Sequence, residues 1–223
     1  IRLGGVDNIE GFEKKFLELL NNYKKLFKQS KRLIRMSDRM EAELATTKVE
    51  LEKYSKKLKL QATTDSLTGL ANRRRITSLL EKALIEVKEN KKKDFNIIML
   101  DIDFFKKVND NYGHPMGDQV IKEVSHLMQA KISQAGVVGR FGGEEFLSII
   151  YDENNNKVFN LADEIRHGIE NKSTSLDGVV VNVTVSMGIA SSSESQVFQE
   201  LIDIADKRLY KAKKNGRNQV VFS

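Results

Sequence analysis

The feature that most constrains the fold is a long segment, residues 9–61, that contains no proline and a single glycine, Gly11. Apolar residues recur in it at alternating intervals of four and three, and Ser30, Ser37 and Thr47 stand where the repeat lacks one. The apolar positions are Phe12, Phe16, Leu19, Tyr23, Leu26, Leu33, Met40, Leu44, Leu51, Tyr54 and Leu58. This heptad pattern predicts a coiled coil. A helix of ~50 residues, ~75 Å long, cannot bury such a stripe alone, so we expect at least a dimer; packing on the chain's own globular domain is the alternative.

Positive charge is concentrated in the same segment. Residues 1–62 carry 15 Lys and Arg against 9 Asp and Glu, whereas residues 63–223 carry 22 of each. A basic helix face is ordinarily solvated, and contact with nucleic acid or anionic lipid is the alternative. No zinc-finger, helix-turn-helix or basic-zipper pattern accompanies it. We therefore expect no nucleic-acid partner.

The composition of the chain excludes several classes of protein and of metal site. The chain has no cysteine, so disulfides and thiolate metal sites are excluded. No apolar run approaches the ~20 residues of a membrane span, and no signal peptide is visible. We expect a cytoplasmic protein, or the cytoplasmic part of a larger receptor. The first residue, Ile1, is not methionine, which favours a fragment of a longer chain.

The pattern changes at residue 62, after the predicted stalk (residues 1–62), and a globular domain is predicted over residues 63–223. The predicted helices cover about 72–89, a short helix and a longer one ending near 132, 156–171 and 196–213. The predicted strands cover 95–103, a hairpin over 137–150, 179–190, and a closing edge strand, "QVVFS". This order predicts an α+β fold, a mainly antiparallel sheet with helices covering its faces.

Carboxylates mark one end of this sheet. Asp101 and Asp103 end a buried strand, where residues two apart share a face. In the hairpin, Gly142 and Gly143 suit a tight turn with positive φ, and Glu144 follows at once. Asp101 and Glu144 would form a pair of hard oxygen ligands of the kind that Mg²⁺ prefers. Acidic hairpin turns are also common without any ligand, so the spacing alone leaves both readings open.

Four blocks, "DSLTGLANRR", "DIDFFKKVNDNYGHPMGD", "RFGGEEF" and "ADKRLYKAKKNGRN", follow one another within residues 63–223. Together they resemble the GGDEF-domain diguanylate cyclase family, in its GGEEF form. That family's fold is similar to the palm of polymerases and nucleotidyl cyclases. The resemblance implies an enzyme that joins two GTP into cyclic di-GMP and releases two pyrophosphates. It also implies a homodimer through a parallel coiled coil, one GTP per domain, and control by an upstream sensory domain missing from this sequence.

The resemblance also implies roles for individual residues. Asp101, Glu144 and the Ile102 carbonyl would bind Mg²⁺, with Mn²⁺ as an alternative. Glu144 would help to deprotonate the attacking 3′-hydroxyl, and Lys106 or Arg140 would stabilise charge in the transition state. The remaining implied substrate contacts are Asn109 and Asp118 to guanine, and His114, Phe104, Phe105, Gly142, Gly143, Glu145, Lys213 and Arg217.

Several alternatives stay open at this point. Asp103 has an alternative role as the cap of the following turn, Phe104 and Phe105 as core side chains, and Lys213 as an ordinary lysine at a helix end. Asp65 and Arg73 are expected to fix the junction between stalk and domain. The alternative function is a non-catalytic module that binds GTP or cyclic di-GMP, and a structural coiled-coil adaptor is a further one.

One departure from the family pattern concerns regulation. Many members carry an Arg-x-x-Asp product-inhibition site five residues before the paired glycines. Ser133 and Gly136 stand there in this sequence, so a bidentate arginine contact to the product is missing. We expect feedback inhibition by cyclic di-GMP through this site to be weak or absent.

Overall fold

The computed structural model describes residues 6–222, except for the side chains of residues 6–10 and 55–60. Residues 1–5 of the predicted stalk, the side chain of Leu58 in its seam, and Ser223 of the predicted last strand lie outside the described residues. Two compact units make up the chain, Ile1–Leu58 and Lys59–Ser223.

The first unit is formed by a single long helix, α1 (Val6–Thr63). Every residue from 11 to 54 is exposed, including the large apolar side chains of the heptad seam. Phe12, for example, is 71% exposed and Leu19 is 68% exposed. Among the described residues, no helix is both long and apolar enough to cross a membrane. The predicted long helix is therefore present, and its apolar stripe is uncovered.

The second unit alternates helices and strands. Its helices are α2 (Arg73–Lys88), α3 (Phe105–Tyr112), α4 (His114–Ile132), α5 (Asn155–Glu170) and α6 (Phe198–Lys214). Its strands are β1 (Asn96–Ile102), β2 (Gly136–Arg140), β3 (Glu145–Ile150), β4 (Ser173–Leu176), β5 (Val179–Asn182), β6 (Val185–Ser191) and β7 (Val220–Val221). The main sheet has the order β2-β3-β1-β6-β7 and is antiparallel except between β6 and β7. The predicted α+β fold, with a mostly antiparallel sheet and an edge strand at the end of the chain, is confirmed.

Alternation along β1 divides the core into two layers. Ile98 and Leu100 belong to a cluster shared with α4 and α5, whereas Ile97 and Met99 belong to a cluster shared with α2 and α6. Every residue of β1 is buried, and each such aliphatic side chain contributes roughly 1.5–3 kcal/mol through burial. Because side chains alternate with a period of two, Asp101 continues the Ile97 series and faces α6.

Helix α6 lies unusually close to β6. A Cβ atom at Gly188 would collide with the carbonyl oxygen of Ala205 and the amide nitrogen of Leu209. Only glycine lets the helix backbone rest directly on the strand in this way. The close packing carries the last turn of α6, with Lys213, to the end of β1 where Asp101 lies.

The strand predicted over residues 179–190 is wrong as a single element. It is divided into β5 and β6, and β5 pairs with β4, which the sequence analysis did not predict, in a separate hairpin. Asp177 and Gly178, with φ of 49° and 81°, make the turn of this hairpin, as an Asp-Gly pair favours. The division falls beside Thr184, whose carbonyl accepts a hydrogen bond from the amide of Asp103 at 2.9 Å.

The position where the family's inhibitory aspartate would stand has no room for a side chain. Gly136 pairs with Ile150, and a Cβ atom there would collide with the carbonyl oxygen of Ile149.

We expect Gly136→Asp to lower the free energy of unfolding by about 1–3 kcal/mol, measured by urea denaturation. The control Ser133→Arg, at an exposed position, should change it by no more than about 0.5 kcal/mol. Equal stabilities of the two variants would contradict this prediction.

Candidate active site

Strand register places two acidic residues at one end of the sheet. Asp101 of β1 lies opposite Glu145 of β3 and Ser186 of β6. The amide of Ile102 donates to the carbonyl of Glu144 across 3.4 Å. The pairing of β1 with β3 therefore fixes Glu144 beside Asp101, as the sequence predicted.

The two carboxylates share one nearby cation. The ammonium nitrogen of Lys213 lies 2.8 Å from Oδ2 of Asp101, whose residue is only 5% exposed. Burial raises the pKa of Asp101, and Lys213 opposes that rise. Burial, followed by repulsion from Asp101, raises the pKa of Glu144. An excess of negative charge is therefore confined at this point.

The donor set suits a small divalent cation. Two close carboxylates with raised pKa values gain from positive charge between them. Among the side chains that the structure describes, no group of three acidic or histidine residues gathers around one point. Mg²⁺ is commonly held by one or two carboxylates plus water and substrate phosphates. Asp101 and Glu144 therefore fit such an ion.

The turn after β2 differs from the predicted tight two-residue turn. Residues 141–144 connect β2 to β3, and the amides of Phe141 and Gly142 both donate to the carbonyl of Glu145, at 2.8 and 3.2 Å. Neither Gly142 nor Gly143 has a positive φ, so the expectation of left-handed glycines is wrong: the longer loop does not need them. A Cβ atom at Gly142 would instead strike the Glu145 carboxylate, and one at Gly143 would meet nothing within 4 Å.

Arg140 ties this turn to the segment before α2. Its Nε and Nη2 donate to the carbonyl of Gly143 at 3.1 and 2.7 Å, and its Nη1 donates to Asp65 at 3.2 Å. Burial opposes ionisation of Asp65, but hydrogen bonds from Thr68 together with Arg140 lower its pKa overall. The predicted role of Arg140 at the transition state stays a prediction. In the structure its guanidinium holds the turn that carries Glu144.

The two phenylalanines ahead of α3 have different surroundings. Phe105 is 7% exposed and belongs to the core, whereas Phe104 is 51% exposed and has a φ of 56°. Cations lie over the Phe104 ring, Arg217 at 4.2 Å and Lys107 at 4.6 Å from its centroid. The amide of Phe105 belongs to the first turn of α3, where amides lack intrahelical partners and favour anions. Lys106 is exposed in the same turn.

The two residues of the predicted guanine-reading pair, Asn109 and Asp118, lie on the neighbouring helices α3 and α4. Asn109 of α3 lies so close to Gly117 of α4 that a side chain at 117 would collide with its amide. Asp118 follows Gly117 and is exposed, as is His114 at the start of α4. Gly117 was missed by the sequence analysis, although it stands within the quoted block "NDNYGHPMGD". Its lack of a side chain leaves room for the amide of Asn109.

The side-chain oxygens of Asp103 accept hydrogen bonds from groups inside the protein. They accept from Ser186 Oγ at 2.7 Å, Thr184 Oγ1 at 2.8 Å and the amide of Asn218 at 3.0 Å. Arg217 Nε lies 4.0 Å away. These partners are 81 to 115 residues distant along the chain, so no local pattern could have indicated them. Asp103 therefore points into the fold, as a structural residue would.

Comparisons with known proteins identify the family of this chain. The family model described as "Diguanylate cyclase, GGDEF domain" matches residues 62–219. Diguanylate cyclase A of Treponema denticola is 37% identical over 164 residues, which are 72% of this chain and 44% of that protein. The coiled coil and GGDEF domain of DgcB from Caulobacter crescentus, crystallised with c-di-GMP, has a TM-score of 0.76. It is 32% identical, and the match covers 82% of this chain and 99% of that one.

A further solved structure extends the similarity along the chain. The diguanylate cyclase SiaD of Pseudomonas aeruginosa, in complex with its activator SiaC, has a TM-score of 0.70 and 27% identity. That match covers 98% of this chain and 81% of the other. The chain belongs to the GGDEF, diguanylate cyclase family, which generally uses a divalent metal ion. It spans less than half the length of the curated relatives it matches.

Glu144→Gln should stabilise the protein at neutral pH when no divalent cation is present. The pKa of Glu144 is raised in the folded state, so its ionised form destabilises that state above the raised pKa. Below the ordinary pKa of 4.5 the carboxyl is protonated whether folded or unfolded, and this effect disappears. We expect the melting temperature to rise by about 1–2 °C at pH 7 and the difference to narrow near pH 4.

Calorimetry from about pH 4 to pH 7.5 in a chelator would measure this difference. Glu164→Gln, at a side chain 63% exposed on α5, is the matched control. Added Mg²⁺ should stabilise the parent more than the Glu144→Gln variant. A variant less stable than its parent at pH 7 without metal would contradict the prediction.

Proposed function

We propose that this chain is a diguanylate cyclase, which condenses two GTP into cyclic di-GMP and two pyrophosphates. The observation that carries the proposal is the pair Asp101 and Glu144, held beside Lys213 at the strand ends next to the GGEEF turn. The name of the Treponema relative and the c-di-GMP bound in the DgcB crystal support it. In this proposal residues 63–223 are the catalytic domain and residues 1–62 the stalk.

Asp101, Glu144 and the carbonyl of Ile102 are the proposed ligands of Mg²⁺, with Mn²⁺ as an alternative. When bound, the cation supplies positive charge that neutralises the triphosphate. Lys213, whose ammonium already lies at Asp101, binds the same phosphates from the α6 side. Lys106 and Arg217, with the amides of Phe104 and Phe105, complete the proposed phosphate site.

Glu144 is the proposed proton acceptor. Its raised pKa brings it closer to neutrality, which makes it a stronger base than an ordinary carboxylate. Removal of the 3′-hydroxyl proton lets that oxygen form a bond to the α-phosphorus of the second GTP. The bond from that phosphorus to the bridging oxygen breaks, and pyrophosphate leaves with the electron pair.

Selection of guanine is proposed for Asn109 and Asp118. A carboxylate accepts from the N1–H and the exocyclic amine of guanine, and an amide can both donate and accept. Adenine presents no donor at N1, so Asp118 would be left unpaired against it. His114, Gly142, Gly143 and Glu145 line the remainder of the proposed pocket.

A homodimer is needed because each domain is proposed to hold one GTP. The exposed stripe on α1 is the proposed contact, as a parallel coiled coil that places both domains at the same end. An upstream sensory domain would act through this stalk. We place the protein in the cytoplasm, where GTP is available.

Loss of Glu144 should remove product formation. With GTP and Mg²⁺, we expect mass spectrometry to detect cyclic di-GMP from the unaltered chain and at least ~100-fold less from Glu144→Ala. Glu164→Ala on α5 is the control and should behave as the parent. GTP binding without product in the parent would favour the non-catalytic module instead.

Charge within the seam should make the activity depend on protein concentration. Leu26→Glu with Leu33→Glu places four carboxylates in a dimer seam, so we expect a weaker dimer and at least ~10-fold less product at low protein concentration. Lys25→Glu with Arg32→Glu, in the same turns but outside the repeat, is the control. Sedimentation and product assays at rising concentration measure both effects. A monomer of full activity would contradict the dimer proposal.

A further inference from the structure

The turn that follows α6 has an unusual backbone. Gly216, Arg217 and Asn218 have φ of 111°, 66° and 45°. Two consecutive residues with side chains rarely occupy the left-handed region, and they persist there only when the surrounding structure holds them. Contacts of this turn with its neighbours must therefore fix it.

Asp103 holds the turn from the sheet side. Its Oδ2 accepts from the amide of Asn218 at 3.0 Å, and its Oδ1 lies 4.0 Å from Nε of Arg217. Asp103 is itself 4% exposed and is anchored by Thr184 and Ser186 of the β6 region. The aspartate therefore cannot swing away with the turn.

Helix α5 holds the same turn from the other side. The side-chain oxygen of Asn218 accepts from Arg166 Nη1 at 3.0 Å, and its side-chain nitrogen donates to Glu170 at 2.8 Å. Arg166 is 8% exposed and also pairs with Asp163 and Glu170, both at 2.8 Å. Asn218 thus connects the sheet end to a rigid group on α5.

The side chain of Arg217 is directed by a third contact. Its guanidinium carbon lies 4.2 Å from the centroid of the Phe104 ring, a favourable geometry for a cation over an aromatic face. Phe104 adjoins Asp103 and has a φ of 56° that sets its ring beside the turn. The Arg217 side chain therefore lies against the Phe104 ring and beside Asp103.

We propose that Asp103, Asn218 and the Phe104 ring are positioning residues that aim Arg217 at the β- and γ-phosphates of the bound nucleotide. This inference rests on the proposed function. Arginine suits the task because its planar guanidinium can stack on a ring while its N–H groups bind phosphate oxygens. Asp103 therefore acts through Arg217 and does not itself touch the substrate.

A double-mutant cycle on the full 223-residue chain tests this inference. GTP and GMP binding are measured by calorimetry with Mg²⁺ for the parent, Asp103→Asn, Arg217→Ala and the double variant. Asp103→Asn should weaken GTP binding about tenfold and leave GMP, which lacks the β- and γ-phosphates, nearly unchanged. In the Arg217→Ala background it should have little further effect, because the group that it positions is gone.

The α5 side supplies an independent pair of variants. Glu170→Gln removes the charge that holds Asn218 and Arg166, and we expect GTP binding to weaken severalfold. Glu164→Gln on the same helix, which pairs with Lys131 at 3.0 Å, should have no effect. These two variants, with Phe104→Leu, decide the question if Asp103→Asn does not fold.

Two results would overturn the inference. One is an equal loss of GTP affinity on Asp103→Asn in the parent and Arg217→Ala backgrounds. The other is an equal loss of GTP and GMP affinity, which is what a general structural role predicts. Either result, with product still formed by the parent, leaves the proposed function standing. Absence of GTP binding by the parent would overturn both.

Discussion

The contact between Asp101 and Lys213 is the interaction on which the rest of the site depends. A carboxylate at the end of a strand buried on both faces is costly unless a partner offsets the loss of water, and Lys213 at 2.8 Å is that partner. The contact requires α6 to lie directly on β6, which Gly188 permits. Glu144 adds a second negative charge through the register of β3. Lys213 alone does not neutralise the two carboxylates, and the proposed metal ion would offset the remaining negative charge.

Asp101 and Asp103, the two aspartates at the end of β1, differ in their contacts. Asp101 keeps one cation partner and faces the proposed metal site, whereas the oxygens of Asp103 are occupied by Ser186, Thr184 and the amide of Asn218. This difference between Asp101 and Asp103 follows from the residues that lie opposite each of them. Two hydroxyl groups at the start of β6 and one amide of the turn after α6 donate to Asp103, whereas Asp101 pairs with Lys213 and lies beside Glu144. A short acidic motif thus contains one proposed metal ligand, Asp101, and one residue whose observed contacts are structural, Asp103.

The sequence predicted the features that depend on residues close to one another in the chain. The long helix predicted within residues 9–61, the mainly antiparallel α+β fold, and the meeting of Asp101 with Glu144 follow from periodicity and from the resemblance. The division into β5 and β6 was missed because the alternation of valines with polar residues continues through Asn182 and Thr184. Thr184 lies between the two strands and binds Asp103, which is distant in the sequence. The link from Arg140 to Asp65, 75 residues apart, likewise depends on the tertiary fold. The positive φ predicted for the glycines of the turn was wrong, and their role in making room for a nucleotide stays a prediction.

Gly136 shows how a backbone can limit the regulation that a protein acquires. The family's inhibitory pair requires a side chain at a point where this strand places the carbonyl of Ile149. Two point substitutions would therefore restore the pair only with a loss of folding stability of about 1–3 kcal/mol, which arises at residue 136. A product-inhibition pair at these positions would first have to offset the stability lost by crowding the pairing of β2 with β3.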